Sequence, residues 1–396
     1  MLFYCLQAVQ ASICLKIIRS EGMFISTMLE KSQKKVDFSL IAITFLLTFL
    51  GFLMSYSALF YKYNLHGIST IKFIMKELIR LGISLLAFFV GRSLDPKLYR
   101  KYIKIGILFV SSLLILTFIL GTRRLGAIRW IRLGFLSFQP SELAKLILIL
   151  YLADSIASHK ESLKNFREFV KILLFPVIIF LLVAIQPNLS TALIIFIVTL
   201  GIIYVAGVRI SFIVIPTFIG ILFAFLLIFT MPGKFRHVKN RVTNFLKGNE
   251  TYQVKQARIA ISQGGLFGKG IGKGTQKYLY LPYAENDFMF ALIAEELGVV
   301  SVIFIILCYA FLTIKGFLVS RRHIQAKFYY ALIASGISLI IFTSSAIHIA
   351  VNLGLIPPTG QTLPLLSVGG SSLTLNLFAL GMLEYLSEDA MKYEIF

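Results

Sequence analysis

The chain has 396 residues, of which 58% are hydrophobic and only 14% are charged, and its mean hydropathy is +0.85. Because a soluble domain carries about 25% charged residues, this composition excludes a soluble globular protein and, more firmly, a disordered one. The 39 Lys and Arg residues outnumber the 18 Asp and Glu residues, for a net charge of +21. Such a surplus indicates nucleic acid, anionic lipid or an acidic substrate as a partner.

Apolar runs predict an all-α, polytopic membrane protein. A membrane span needs about 20 mostly apolar residues, and the chain contains ten such runs. They lie at 38–61, 74–91, 103–120, 142–157, 172–186, 190–208, 211–231, 287–314, 328–356 and 373–386. Only Gln186-Pro187-Asn188-Leu189 separates the fifth run from the sixth, which predicts a tight hairpin because proline lacks an amide donor.

The distribution of basic residues predicts the orientation of the spans. Short cytoplasmic loops carry the excess of Lys and Arg, and an N-in/C-in arrangement places 20 basic residues in inner segments and 17 in outer ones. Ten of the outer residues lie in one large extracytoplasmic loop, 232–286, between spans seven and eight. Long translocated loops tolerate such charge, and the alternative interpretation is that the outer surface meets an anionic molecule.

The spans define one transmembrane domain over residues 38–386, followed by a short cytoplasmic tail at 387–396. Residues 1–37 form a cytoplasmic extension that fits poorly with the rest. No charged segment precedes its weak apolar stretch, which argues against a signal peptide. Met28 opens a natural cytoplasmic start, so we expect a misassigned start or a dispensable tail.

Two outer segments before the long loop carry candidate binding residues. Pro140 and Ser141 are typical of a helix start, and Glu142 and Lys145 share one helix face, where they either form a self-neutralising pair or line a site. The preceding loop is basic and partly aromatic. Its residues are interfacial anchors or phosphate ligands: Arg123, Arg124, Arg129, Trp130 and Arg132.

The glycine-rich and lysine-rich segment 264–277 has two interpretations. Its backbone amides can approach an anion, or it is a flexible loop with solvated lysines. Neither nucleotide-loop spacing fits, which argues against a nucleotide site.

Acidic residues follow at the start of span eight. Asp287 is either a half-desolvated general base or an ordinary helix N-cap, and of Glu295 and Glu296 at least one must find an internal partner. The last outer loop, 357–372, is too apolar for a solvated loop. A re-entrant segment lining a cavity accounts for it.

Seven motifs, in order from about residue 38 to the C-terminus, resemble the SEDS family (shape, elongation, division and sporulation) of FtsW and RodA type. They are Gly126 to Ile131, Gln139 to Lys145, Gln186 to Asn188, Tyr252-Gln253, Gly264-Gly265, Asp287 to Phe290 with Ala294 to Gly298, and Leu363 to Ser372.

This resemblance implies a peptidoglycan glycosyltransferase with ten spans, in the bacterial cytoplasmic membrane, that polymerises lipid II (undecaprenyl-diphosphate disaccharide pentapeptide). It maps the essential acid onto Asp287 and a polar cavity onto Glu142 and Lys145. We expect Arg129 and Arg132 near the diphosphate, and a divalent cation, Mg²⁺ or Mn²⁺, can share that task. The expected substrate or cavity residues are Glu142, Lys145, Arg129, Trp130, Arg132, Ser367, Gly369, Gly370 and Ser371.

Several positions depart from the family's usual pattern and put efficiency, metal dependence and pH optimum in doubt. They are Tyr283, Glu285 and Asn286 before Asp287, and Asn188, Ser190, His348 and Val368 elsewhere.

The segments 276–282 and 359–364 look more like the division branch (FtsW) than the elongation branch (RodA), which implies the division site. The resemblance also implies a class B penicillin-binding transpeptidase in trans and other division membrane proteins as partners, and nucleic acid is excluded. Three alternatives remain: an elongation (RodA-type) polymerase, which Gly274-Thr275-Gln276 alone would fit, a lipid II flippase or another transporter, and a plain division scaffold.

Overall fold

The computed structural model describes residues 36–392 except 66–68, 125–126, 134–135, 162, 164, 187, 213, 215, 221, 223–239, 250 and 279. Residues 1–35, and with them the question of the start, lie outside this part. Its main helices are α1 (Phe38–Leu65), α2 (Thr70–Ser93), α3 (Pro96–Leu120), α4 (Pro140–Ser158), α5 (Phe166–Ile185), α6 (Leu189–Val205), α7 (Tyr252–Gln263), α8 (Met289–His323), α9 (Phe328–Asn352) and α10 (Gly370–Met391).

These helices confirm the mainly helical class and coincide with the predicted spans wherever the chain is described, apart from α7, which lies in the long loop. Within the described residues, five are long and apolar enough to cross a membrane: α3, α5, α8, α9 and residues Phe38–Phe60 of α1. Most of the seventh run, 211–231, falls outside the described residues. The count of ten spans and the N-in/C-in orientation therefore stay predictions.

A small antiparallel sheet occupies the basic segment that we expected to be a loop. Its strands are β1 (Thr122–Arg124), β2 (Ala127–Leu133) and β3 (Leu136–Phe138), in the order β1-β2-β3. Thr122 pairs with Trp130, and Ile131 pairs with Phe138. β-branched and aromatic residues favour strands, and Ile128, Trp130 and Ile131 in β2 are such residues. This local signal could have predicted the sheet.

The longest helix, α8, extends to His323, beyond the predicted end at 314, and bends at Gly298, whose φ is 78°. A side chain there would clash, because a Cβ on Gly298 would lie 2.3 Å from the carbonyl oxygen of Leu266. The backbone of the long loop therefore packs directly against α8 at this bend.

At the other end of the bundle, hydrogen bonds and an ion pair connect α10 to neighbouring elements. The backbone N–H of Asp37 donates to Glu384 at 2.9 Å, and Ser387 donates to the Asp37 carboxylate at 2.8 Å. Lys327 pairs with Asp389 at 2.6 Å. Helix α10 continues to Met391, and the first residues assigned to the tail are thus helical and bonded to neighbouring elements.

Candidate active site

Motifs predicted to be functional meet at one end of the bundle, which we call the loop face and define by the described residues within 121–139, 186–188, 240–288 and 353–369. The backbone N–H of Gln139 donates to Ser371 Oγ at 3.3 Å. Asn188 donates to Ser141 Oγ at 3.2 Å, which ties the fifth-sixth hairpin to the start of α4. Segments far apart in the sequence thus build one polar surface.

Asp287 lies in a turn that is anchored to the last outer loop. The backbone N–H groups of Asn286 and Asp287 both donate to the carbonyl of Tyr283 at 3.0 Å. Ser367 Oγ donates to the Asn286 carbonyl at 2.7 Å, and Val368 N–H donates to the Glu285 carbonyl at 2.9 Å. Ser367, a predicted site residue, therefore holds the turn that carries the candidate base.

The carboxyl group of Asp287 is half-buried, and its pKa is raised to about 6. Burial is the main cause, and Glu285 adds to it, whereas the charges of Arg241 and Arg129 oppose it. Asp287 is not the N-cap of α8, since that position belongs to Phe288. The carboxylate is thus left for other work, with a pKa near the range useful to a general base.

Arg129 is the predicted arginine that the structure places in the electrostatic field of Asp287. Burial lowers its pKa to about 10, assisted by the nearby charge of Arg241, so its guanidinium is still charged at neutral pH. The half-buried Trp130 follows it on β2. The backbone of Arg132 pairs with Ser137, and its side chain lies outside the described part.

Arg241 is a further candidate site residue, which the sequence alone did not indicate. It lies in a short helix at 240–246, and its Nη1 donates to the Pro358 carbonyl at 3.0 Å. Its charge acts on both Asp287 and Arg129. No local motif distinguishes it from the other basic residues of the long loop.

Glu142 and Lys145 form the predicted ion pair on α4. Lys145 Nζ lies 2.9 Å from Glu142 Oε1, and each side chain is only 4% exposed. This burial favours a pair inside the protein over a solvated helix cap. Whether the pair contacts substrate stays a prediction.

A small cleft lies between α1, α2 and the segment 365–373. Ser367 and Gly369 line it, as does an ion pair in which Arg80 Nη1 lies 2.9 Å from Glu77 Oε1. A Cβ on Gly370 would lie 3.5 Å from Arg80 Nε, so the start of α10 closely approaches this arginine. The apolar last loop therefore lines a cleft, and its re-entrant course through the membrane stays a prediction.

The glycine-rich segment binds carboxylates of the chain itself. Backbone N–H groups of Gly272 and Gly274 donate to Glu296 at 2.9 and 3.3 Å, and that of Thr275 donates to Glu295 at 2.8 Å. Lys269 also pairs with Glu295, at 2.8 Å. The expectation of a partner is confirmed for both glutamates. The amides do approach anions, but those anions belong to the chain itself, and of the lysines Lys269 and Lys277 are paired whereas Lys273 is exposed.

The donor set around Asp287 fits a divalent cation poorly. Among the described residues, no three His, Cys, Asp or Glu side chains are grouped to hold a metal ion. Glu285 is the other carboxylate that acts on Asp287, and the two arginines there supply positive charge of their own. We therefore derive no step through a metal.

Comparison with known proteins identifies the family. The model of the FtsW/RodA/SpoVE family, described as "Cell cycle protein", matches residues 37–392. A relative named stage V sporulation protein E, from Bacillus subtilis (strain 168), is 35% identical over 359 residues, covering 88% of this chain and 95% of the relative. A probable peptidoglycan glycosyltransferase FtsW from the same organism is 35% identical over 378 residues, covering 91% and 92% respectively.

The fold has a close counterpart among solved structures. A chain from work on "structural coordination of polymerization and crosslinking by a peptidoglycan synthase complex" matches with a TM-score of 0.72 and 24% identity, covering 90% of this chain and 98% of that one. At this identity the likeness concerns the fold. Because the family model and relatives at 35% identity both extend over most of the sequence, the chain belongs to the FtsW/RodA/SpoVE family of multi-pass membrane proteins, the SEDS family.

Proposed function

We propose that this chain is a peptidoglycan glycosyltransferase that polymerises lipid II on the outer face of the cytoplasmic membrane. The observation that carries the proposal is the half-buried Asp287, with a pKa of about 6, in the field of Arg129 and Arg241. This arrangement combines a base with cations at one place on the loop face. Membership of a family with relatives named peptidoglycan glycosyltransferase supports the substrate class.

In the proposed reaction, the 4-hydroxyl of one lipid-linked disaccharide attacks the anomeric carbon of another. The hydroxyl proton passes to the Asp287 carboxylate, the new glycosidic bond forms, and the bond between the anomeric carbon and the diphosphate breaks. Undecaprenyl diphosphate leaves with the bonding electrons. A single displacement of this kind inverts the anomeric carbon.

The leaving diphosphate requires positive charge that is already in place. Arg129 and Arg241 can supply it, and we assign the same task to Arg132. Buried cations stabilise a developing anion more strongly than solvated ones because the surroundings screen them less. Trp130 lies beside Arg129 and is assigned to the sugar or lipid part of the substrate.

The remaining predicted residues are assigned to the walls of the substrate site. Glu142 and Lys145 shape its polar interior, and Ser367 and Gly369 line the cleft next to the turn of Asp287. Gly370 and Ser371 form the start of α10, where free backbone N–H groups favour negative charge. The contact between Ser371 and Gln139 supports a common site for these segments.

We assign the activity to septal synthesis during cell division. Support comes from relatives named FtsW and from the segments 276–282 and 359–364 in this sequence. A class B penicillin-binding transpeptidase is the proposed partner in trans, because the structural match comes from a complex described as coordinating polymerization and crosslinking.

The test is polymerisation of lipid II by the purified chain with its transpeptidase, comparing the wild type with Asp287→Asn. This substitution keeps the shape of the side chain and removes the base, so we expect loss of glycan polymer on a gel. The matched control is Glu161→Gln, an exposed residue in the turn after α4, which should keep activity. Normal polymerisation by Asp287→Asn would contradict the assignment of the base.

The same preparation separates the alternative functions. Movement of labelled lipid II between the leaflets of vesicles, without polymer, would favour a flippase. Complementation of division by Asp287→Asn would favour a scaffold.

A further inference from the structure

The start of α8, directly after Asp287, is capped by side chains of another helix. The first N–H groups of a helix have no partner within it, and the N-cap residue of α8, Phe288, makes no side-chain cap. Instead, Phe290 N–H donates to His348 Nε2 at 3.4 Å, and Ala291 N–H donates to Asn352 Oδ1 at 3.1 Å. His348 and Asn352 are one turn apart on α9, so one helix face serves both amides.

Asn352 also holds the backbone of Asp287 itself. Its Nδ2 donates to the Asp287 carbonyl at 3.1 Å and to the His348 carbonyl at 2.8 Å. The Asn352 side chain is fully buried. With the bond from Ala291 N–H, its amide group makes three hydrogen bonds. It therefore bridges the backbone on both sides of the helix start, at Asp287 and at Ala291.

His348 extends the same support to the loop on the other side of Asp287. Its Nδ1 lies 2.7 Å from the Gln361 carbonyl. Because Nε2 accepts from Phe290, the proton is assigned to Nδ1, and the ring is a neutral donor and acceptor. Gln361 follows Gly360, where an added Cβ would lie 3.5 Å from Asp287 Oδ2. The ring thus joins the two segments that flank the carboxylate.

We propose that Asn352 and His348 are positioning residues that keep the Asp287 carboxylate available as the base, an inference that rests on the proposed function. Aspartate readily accepts from free amides at a helix start. If the amides of Phe290 and Ala291 had no other partners, they would compete for this carboxylate. The α9 pair satisfies these donors from outside and leaves the carboxylate to the field of Arg129 and Arg241.

The first test compares turnover and KM for lipid II in Asn352→Leu, His348→Leu and His348→Gln. A misplaced catalytic group costs about a hundredfold in rate, so we expect both leucine variants to lose about tenfold to a hundredfold in kcat. Their KM should change little, because neither residue is assigned to substrate. His348→Gln should be close to wild type, since the amide offers one donor and one acceptor. Leu353→Ala, at the exposed neighbour of Asn352, is the matched control.

The second test does not depend on activity. It measures the protection of the capped amides of Phe290 and Ala291 by hydrogen exchange of peptides covering 286–292 in lipid nanodiscs. Exchange should accelerate in Asn352→Leu and His348→Leu, and not in His348→Gln or Leu353→Ala. If Asn352→Leu does not give monodisperse protein, Asn352→Asp replaces it: that variant keeps the acceptor for Ala291 but loses the donor to the Asp287 carbonyl, so kcat should still fall.

The outcomes are separable. Wild-type kcat in the leucine variants, with Asp287→Asn inactive, would overturn this inference and leave the proposed function standing. A wild-type protein that makes no polymer would overturn the proposed function, and unchanged exchange at 286–292 would then overturn the cap independently.

Discussion

The ammonium group of Lys277 lies 2.6 Å from Glu296 Oε1, and the two side chains are 3% and 0% exposed. Ser57 of α1 donates to the same carboxylate at 2.7 Å. One buried carboxylate therefore joins α1, α8 and the glycine-rich segment. Because Leu281 N–H bonds to the Gln276 carbonyl at 2.8 Å, this junction also anchors the chain that leads into the Asp287 turn.

Substitution of Glu296 by Gln should destabilise the protein strongly. The amide would present donors to Lys277 and to the amides of Gly272 and Gly274, leaving a buried cation without its counter-ion, and breaking such a pair costs about 3–5 kcal/mol. Thermal unfolding in detergent measures the effect. Lys273→Ala, at an exposed lysine of the same segment, should stay within about 0.5 kcal/mol of wild type. Equal unfolding midpoints for both variants would contradict a stabilising role of the junction at Glu296.

This junction illustrates where sequence reasoning succeeds and where it stops. Of two adjacent glutamates in an apolar span, at least one must be partnered, because an unpaired buried charge is too costly, and the structure partners both. Which groups partner them depends on how a loop some twenty residues earlier folds back on α8, and no local spacing encodes that fold. The glycines and lysines therefore resembled an external anion site.

At the site around Asp287, too, the sequence predicted the local features and missed those that depend on tertiary packing. Helix positions follow from apolar runs, which are local, and family motifs indicated Asp287, Glu142 and Lys145. Arg241 and Asn352 could not be placed, because their contacts depend on tertiary packing. Asn352 carried one usable signal: it is a polar residue within a predicted span.

Polymerisation should depend on pH through Asp287. The base must be deprotonated, and its pKa of about 6 predicts that kcat rises as pH increases from 5 to 7 and then levels off. Initial rates of lipid II polymerisation across this range measure the curve. A rate that stays flat from pH 5 to 7 would contradict a base with this pKa.

Unfolding of Asp287→Asn provides the control for that curve. A folded-state pKa of about 6 exceeds the unfolded value of about 3.9, so protonation of Asp287 stabilises the fold at low pH and this contribution disappears as pH rises through 6. Asn mimics the protonated side chain. The variant should therefore unfold at or above the wild-type temperature at pH 8, and the difference should shrink at pH 5.

Lys145→Met should destabilise the protein by about 3–5 kcal/mol, because it leaves Glu142 charged and buried without its partner. The double variant Glu142→Gln with Lys145→Met carries no unpaired charge and should recover most of this loss. If the pair shapes the substrate cavity, the double variant should fold well and polymerise poorly. Thermal unfolding and polymerisation measured on one preparation distinguish the two roles, and full activity of the double variant would rule out the cavity role.

The N-in/C-in orientation predicts opposite labelling at two exposed sites. In a background without native cysteines, Lys255→Cys on α7 should react in intact cells with an impermeant maleimide, because the long loop lies outside. Glu161→Cys, in the turn after α4, should react only after the membrane is permeabilised. Reaction at position 161 but not at 255 would reverse the predicted orientation.

Helices α2 and α10 approach each other through glycines, and this contact should be intolerant of a single methyl group. A Cβ on Gly91 would lie 2.3 Å from the Phe378 carbonyl oxygen, and one on Gly381 would lie 2.1 Å from that of Phe88. Small residues at such crossings let membrane helices pack closely. Gly91→Ala should thus cost about 1–3 kcal/mol through overpacking.

Gly82→Ala, on the same helix, is the matched control with the opposite expected sign. Nothing lies within 4 Å of a Cβ at Gly82, so alanine there should stabilise the helix by about 1 kcal/mol. Thermal unfolding of the two variants measures the contrast, and equal midpoints would contradict the close approach. Because α10 begins beside Arg80 of α2, separation of these helices should widen the cleft. Gly91→Ala should therefore also slow polymerisation, whereas Gly82→Ala should not.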